Sequence, residues 1–204
     1  MSLKHVSVLP GQTVMEEYGV FPPEQAVVKK SGPFAVLLLL VTVGCSRTPE
    51  EEYLLGLKYT HGENVPRDDV EAVKWYRKAA IRGHAEAQHK LGYAYNAGAG
   101  VSRDHAEALK WCRMAAEQGY APAQYNLGIE YDDGISGEVN DVEAYAWLRL
   151  FLDSRSHRPD ELIAHCRERI AVLDESLTRQ QLEEVHRLTG QLRRTINASR
   201  RKSP

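Results

Sequence analysis

Apolar positions between residues 53 and 154 recur with a helical period, and the pattern is itself repeated. In AEAQHKLGYAYNAG, Ala87, Leu91, Ala94 and Tyr95 fall on one face, and Gly98 follows as a residue able to end a helix in the left-handed conformation. In DHAEALKWCRMAAEQG, Ala108, Trp111, Cys112 and Ala115 form a second stripe, closed by Gly119. The spacing predicts two helices joined by a loop. The same order occurs three times: Leu55-Gly56, Leu91-Gly92 and Leu127-Gly128 lie 36 residues apart, as do Tyr59, Tyr95 and Tyr131, Ala72, Ala108 and Ala144, and Trp75, Trp111 and Trp147. A helical hairpin cannot bury its faces alone, and about three must stack for stability. The pattern therefore predicts an all-α protein, an α-solenoid of three 36-residue hairpins. Trp75, Trp111, Trp147, Leu91, Leu127, Tyr95 and Tyr131 are its expected core.

The third unit departs from the others at Phe151 to Arg155, where bulk replaces the paired alanines and glycine of the first two. The next segment answers that bulk. Leu162, Ile163, Cys166, Ile170 and Leu173 make a stripe after Pro159-Asp160, and Leu182, Val185, Leu188 and Leu192 make another after Thr178, the expected N-cap. These two helices are expected to cover the open end of the stack. The boundaries are then 53–154 for the repeats, 155–196 for the capping helices and 197–204 for a disordered basic tail.

A different pattern precedes the repeats. Ten apolar residues, Phe34 to Val43, follow Lys29 and Lys30 and run into Gly44-Cys45. Ten are too few to span hydrocarbon but suit the apolar region of a secretory signal. VTVGC resembles a bacterial lipobox, which implies that Cys45 is joined to diacylglycerol; Thr42 stands where Leu is more usual. Residues 1–44 are expected to be an upstream extension and signal peptide, and 45–52 a lipid anchor and linker. Residues 1–28 are unlike the start of a signal, and synthesis is expected to begin at Val27 or Val28. The competing reading is a buried core segment that ends in Gly-Cys.

Composition narrows the chemistry. The chain has 204 residues, 43% apolar and 26% charged, which is globular. With 26 basic against 28 acidic residues it has no general field for nucleic acid, so no nucleic-acid partner is expected. The three cysteines have no C-x-x-C spacing; Cys112 and Cys166 read as small buried hydrophobes, with a disulfide between them left open. His84 and His89 do not share a helix face, and no H-E-x-x-H occurs, so neither metal nor cofactor is expected. Asp68 with Glu71, Asp104 with Glu107 and Asn140 with Glu143 look like catalytic pairs, but their recurrence marks capping boxes. Ser199 to Lys202 matches S-x-x-K by chance, since S-D-N and K-T-G are missing.

The segment from Ala87 to Gly119 resembles the Sel-1-like repeat family, relatives of the tetratricopeptide repeats, through A-x-x-x-L-G-x-x-Y-x-x-G, G-V-x-x-D and A-x-x-W-x-x-x-A-A-x-x-G. The other two units match less fully. The first is expected to have a truncated initial helix beside the anchor, and the third has Gly137 where Val65 and Val101 stand. The resemblance implies a scaffold for other macromolecules, with first helices lining a concave groove. Leu57, His89, Lys90, Tyr93, Asn96, Tyr125, Ile129 and Asp132 are the candidate binding surface, with Glu130 adding polar specificity; packing between neighbouring first helices is the alternative role for Leu57, Tyr93 and Ile129. The expected partner is a protein or peptide, with a glycan as the alternative. The expected place is the cell envelope, lipid-anchored on the periplasmic side of the outer membrane. A cell-wall or β-lactam hydrolase and an unanchored cytoplasmic scaffold are the rival functions.

Overall fold

The computed structural model describes residues 47–134, 137, 139–154 and 159–202. The upstream extension, the apolar run and Cys45 lie outside the described residues. Eight helices occur among the described residues: α1 (Pro49–His61), α2 (Asp69–Ile81), α3 (Ala85–Ala97), α4 (His105–Glu117), α5 (Ala121–Asp133), α6 (Asp141–Asp153), α7 (Asp160–Ser176) and α8 (Arg179–Lys202). They form an α-solenoid in which α1/α2, α3/α4 and α5/α6 are the three hairpins. None of these helices is long and apolar enough to cross a membrane.

The first helix is not truncated. α1 has 13 residues, like every other repeat helix, because Pro49 pre-sets its first turn and Thr48 caps it. Thr48 and Glu51 form a reciprocal capping box. Thr178 and Gln181 form another at the start of α8.

At the second helix of each hairpin only half of the expected box exists. Asp68, Asp104 and Asn140 do accept from the backbone N–H of Glu71, Glu107 and Glu143. The glutamates do not reach back. Each cap N–H instead donates to the carbonyl of Tyr59, Tyr95 or Tyr131 at 2.9–3.0 Å, which pins the end of the hairpin. The released glutamates hold indoles: Glu107 accepts from Trp111 Nε1 at 3.1 Å, and Glu143 from Trp147 Nε1 at 2.9 Å. Glu71 pairs with Lys74 instead, and Trp75 Nε1 is buried without a partner.

The Leu-Gly pairs are close-approach points. A Cβ on Gly56 would overlap the Tyr76 ring, one on Gly128 would overlap Leu148, and one on Gly92 would lie 3.0 Å from the Ala108 carbonyl oxygen. The leucine enters the core, with Leu91 and Leu127 fully buried, while the glycine lets the second helix press close.

Neighbouring hairpins are joined by repeated polar contacts. Gln88 and Gln124 donate to the carbonyls of Ala80 and Ala116 in the preceding hairpin. Arg77 and Arg113 likewise hold the hydroxyls of Tyr95 and Tyr131, which are half-buried and not enclosed as core. Gln118 donates to Gln88 at 2.7 Å, and one repeat earlier Arg82 pairs with Glu52 at 3.3 Å. Ser154 stands at the same place in the third hairpin, where both its hydroxyl and Gln124 Oε1 lack a partner.

The end of the chain differs from expectation. α7 packs on α6 through Cys166, Ile170 and Leu173 with Leu148 and Phe151, as an end cap would. α8 turns back along α6 and reaches α4, so that Leu192 and Ile196 join Ala115, Ala116 and Trp147 in one cluster. Its helix continues to Lys202, where a disordered tail was expected from residue 197. Buried Ile196 and the seating of Arg200 against Gly119 explain why: the basic run is one face of a helix whose other face is covered. Cys112 and Cys166 are not disulfide-bonded. Their thiols donate to different carbonyls, of Ala123 and Leu148.

Candidate functional site

The first-helix side of the middle and third hairpins encloses a half-open pocket of about 290 Å³. Its walls are α3, through His89, Tyr93 and Asn96, and α5, through Tyr125, Ile129 and Glu130. Its floor is α4, which contributes Leu109 and Cys112 beneath Gly92. The glycine that lets α4 approach α3 thus also sets the depth of the pocket.

His89 is held in place by the Asn126 amide, which donates to Nε2 across 2.8 Å, and by the Tyr120 ring. The bond puts the imidazole proton on Nδ1, which is buried without a partner. Burial and neighbouring Lys90 push the His89 pKa down to about 4, so the ring is neutral at neutral pH. Asn96 Oδ1 is a second buried atom without a partner. Burial raises the Glu130 carboxyl above its ordinary range, opposed by His105, and pushes the Cys112 thiol up to about 12. Such a thiol is not a nucleophile.

Five of the eight candidate surface residues meet here: His89, Tyr93, Asn96, Tyr125 and Ile129. Tyr93 is 64% exposed, so its ring is available to a partner. Leu57 packs in the first hairpin's core cluster, and Lys90 does not line the pocket. Tyr125 and Asp132 are engaged by the chain itself: the Tyr125 hydroxyl bonds His165 Nδ1 at 2.8 Å and Asp132 pairs with Arg169, both on α7. Cys112 and Asn126 were missed as site residues. Their signal is combinatorial, since Asn126 lies one repeat plus one residue beyond His89.

The expected core tryptophans are unequal. Trp147 is fully buried, whereas Trp75 and Trp111 are half-buried. Lys78 and Arg47 lie over the Trp75 ring. Among the described residues one cluster brings metal-ligating groups together, Glu50, His84 and Glu86. His84 Nδ1 already accepts from the Ala87 N–H and Nε2 faces Glu50 at 2.7 Å, so the imidazole has no lone pair left for an ion.

The pairs that join hairpin to hairpin follow a period that a family model also detects. The Sel1 repeat matches three consecutive times, at residues 52–84, 85–120 and 121–153, half of the chain. The chain belongs to the Sel1 repeat family. Its Sel1 repeats resemble those in the crystal structure of a Sel1 repeat protein from Oxalobacter formigenes, with 35% identity over 62% of this chain and 51% of that one, and a TM-score of 0.55. A protective antigen present in uropathogenic Escherichia coli strains, displaying an SLR fold, is 25% identical over 76% of this chain and 41% of its own, with a TM-score of 0.54. The chain therefore spans about half the length of these relatives or less. No curated protein matches it.

Proposed function

We propose that this Sel1 repeat protein is a non-catalytic scaffold that docks a segment of a protein partner along its first-helix side and is held at a membrane by lipid on Cys45. The observation that carries the docking role is the pocket between α3 and α5, where buried polar atoms of His89 and Asn96 lack partners beside the exposed Tyr93 ring. A peptide supplies donors and acceptors for such atoms along its backbone, and an aromatic ring at the rim is a common anchor. No nucleophile is paired with a base there: the one thiol is held protonated and the imidazole is bound to an amide. The tether rests on the sequence around Cys45 and places the scaffold in the cell envelope, with the periplasmic side of the outer membrane the favoured location.

Two experiments test the proposal. A photo-cross-linking residue at position 93 in intact cells should capture a discrete partner, while the same residue at Val172, which is 62% exposed on α7, should not. Equal capture at both positions contradicts the docking role. Palmitate labelling should be lost in Cys45→Ala; labelling that persists there removes the tether.

A further inference from the structure

The polarity of the pocket narrows what it holds. Among the described residues Glu130 forms no ion pair, although it is half-buried on the pocket wall. Across from it Asn96 carries an acceptor without a donor. The imidazole of His89, the one basic group among the described lining residues, is neutral, and Lys90 does not line the pocket. His105, at the first turn of α4, opposes the rise at Glu130, and it does not line the pocket. The Glu130 carboxylate and Asn96 Oδ1 therefore outnumber the one unfilled donor, the His89 Nδ1–H, the lining residues carry a net negative charge, and an exposed phenol ring offers its face at the rim. A carboxylate taken out of water without a partner is unfavourable, and burial already strains it toward protonation.

We infer that the pocket between α3 and α5 receives an arginine or lysine side chain of the docked partner, its cationic head reaching the Glu130 carboxylate and Asn96 Oδ1 and its stem lying against Tyr93. A guanidinium or ammonium group has only donors, which serves the two acceptors and leaves the His89 Nδ1–H for a backbone carbonyl of the same partner, and an aromatic face adds cation–π attraction. A carboxylate-bearing side chain has the wrong sign, and an aliphatic one gives neither acceptor a donor, leaving Asn96 Oδ1 buried and unpaired. This assignment rests on the docking role proposed above and specifies its chemistry.

The test uses the full chain and three probes: acetyl-Ala-Arg-Ala-amide, the same peptide with citrulline, which keeps the shape and removes the charge, and the same peptide with glutamate. Amide chemical shifts are followed during titration. The arginine peptide should perturb residues 89–96 and 125–130, and the citrulline peptide should bind at least about tenfold more weakly, as loss of a charge-assisted hydrogen bond implies. Glu130→Gln should erase that difference while leaving the helical circular dichroism intact. Tyr93→Ala, at an exposed site with little folding role, should weaken the arginine peptide about two- to fivefold. Equal binding of all three peptides in the pocket overturns the charge assignment and leaves the docking role standing. Perturbation outside the pocket, or none with any probe, overturns the assignment, and the cross-link at position 93 then decides the docking role alone.

Discussion

The first and third hairpins are built on one motif and end in different environments. In the third, Trp147 is sealed by α8 and its indole N–H meets Glu143. In the first, no described helix covers the outer side of α2 as α8 covers α6: Trp75 is half-buried, its N–H lacks a partner, and Val70 and Ile81 are 52% and 69% exposed. A repeat motif therefore fixes where a side chain stands, while the neighbour that packs over it decides how much that side chain contributes. The middle hairpin lies between these cases. It has a neighbour on both sides and no covering α7, and it is where the pocket opens.

The largest expected contrast is between the end tryptophans. Trp147→Ala should cost about 3–5 kcal/mol and Trp75→Ala about half that or less, read from urea midpoints. Equal losses would mean that α8 does not cover the third hairpin in solution.

Next is acid sensitivity in the middle hairpin. Tyr53, His89 and Tyr125 occupy equivalent positions, and only the histidine titrates in the acid range. Its pKa is lowered from 6.5 to about 4, so the unfolded chain binds the extra proton between those values and stability falls as pH drops through that window. The wild type should lose on the order of 2–3 kcal/mol there relative to His89→Tyr, which copies its neighbours, in parallel urea titrations. Parallel curves for the two proteins would contradict a buried neutral imidazole.

A third pair sharpens the comparison by removing the difference between the ends. Gly56→Ala and Gly128→Ala should each cost about 1–3 kcal/mol, because both clashes lie inside a hairpin and cover does not enter. The smallest contrast concerns the glutamates. Glu143→Ala should cost about 1–2 kcal/mol by orphaning a buried indole N–H, and Glu71→Ala no more than about 0.5 kcal/mol, since it releases only an exposed pair with Lys74.

The hairpins were legible in the sequence because their determinants are local and periodic: Leu-Gly for close approach, a cap residue before each second helix, and an apolar stripe on each helix. Contacts that follow the chain beyond one repeat were not. Periodicity marks an apolar side on α8 without saying that it folds back over Trp147, and the basic run from Arg193 looks like a loose tail until Ile196 is seen buried. The glutamate three residues after each cap satisfies a capping box on paper, yet the tyrosine carbonyl of the preceding helix takes the cap N–H first. The site divided in the same way. Repeat spacing placed His89, Tyr93 and Ile129 on one side, whereas the α7 contacts of Tyr125 and Asp132 and the role of Asn126 join residues 37–40 positions apart.

Hydrogen exchange of the full chain, with and without the protein captured by a cross-linker at position 93, addresses the docking claim most directly. Docking on the first-helix side predicts slowed exchange in α3 and α5, centred on 89–96 and 125–130, with α2, α6 and α8 unchanged. Protection confined to α2, α6 or α8 would place the partner on the opposite helices and contradict it.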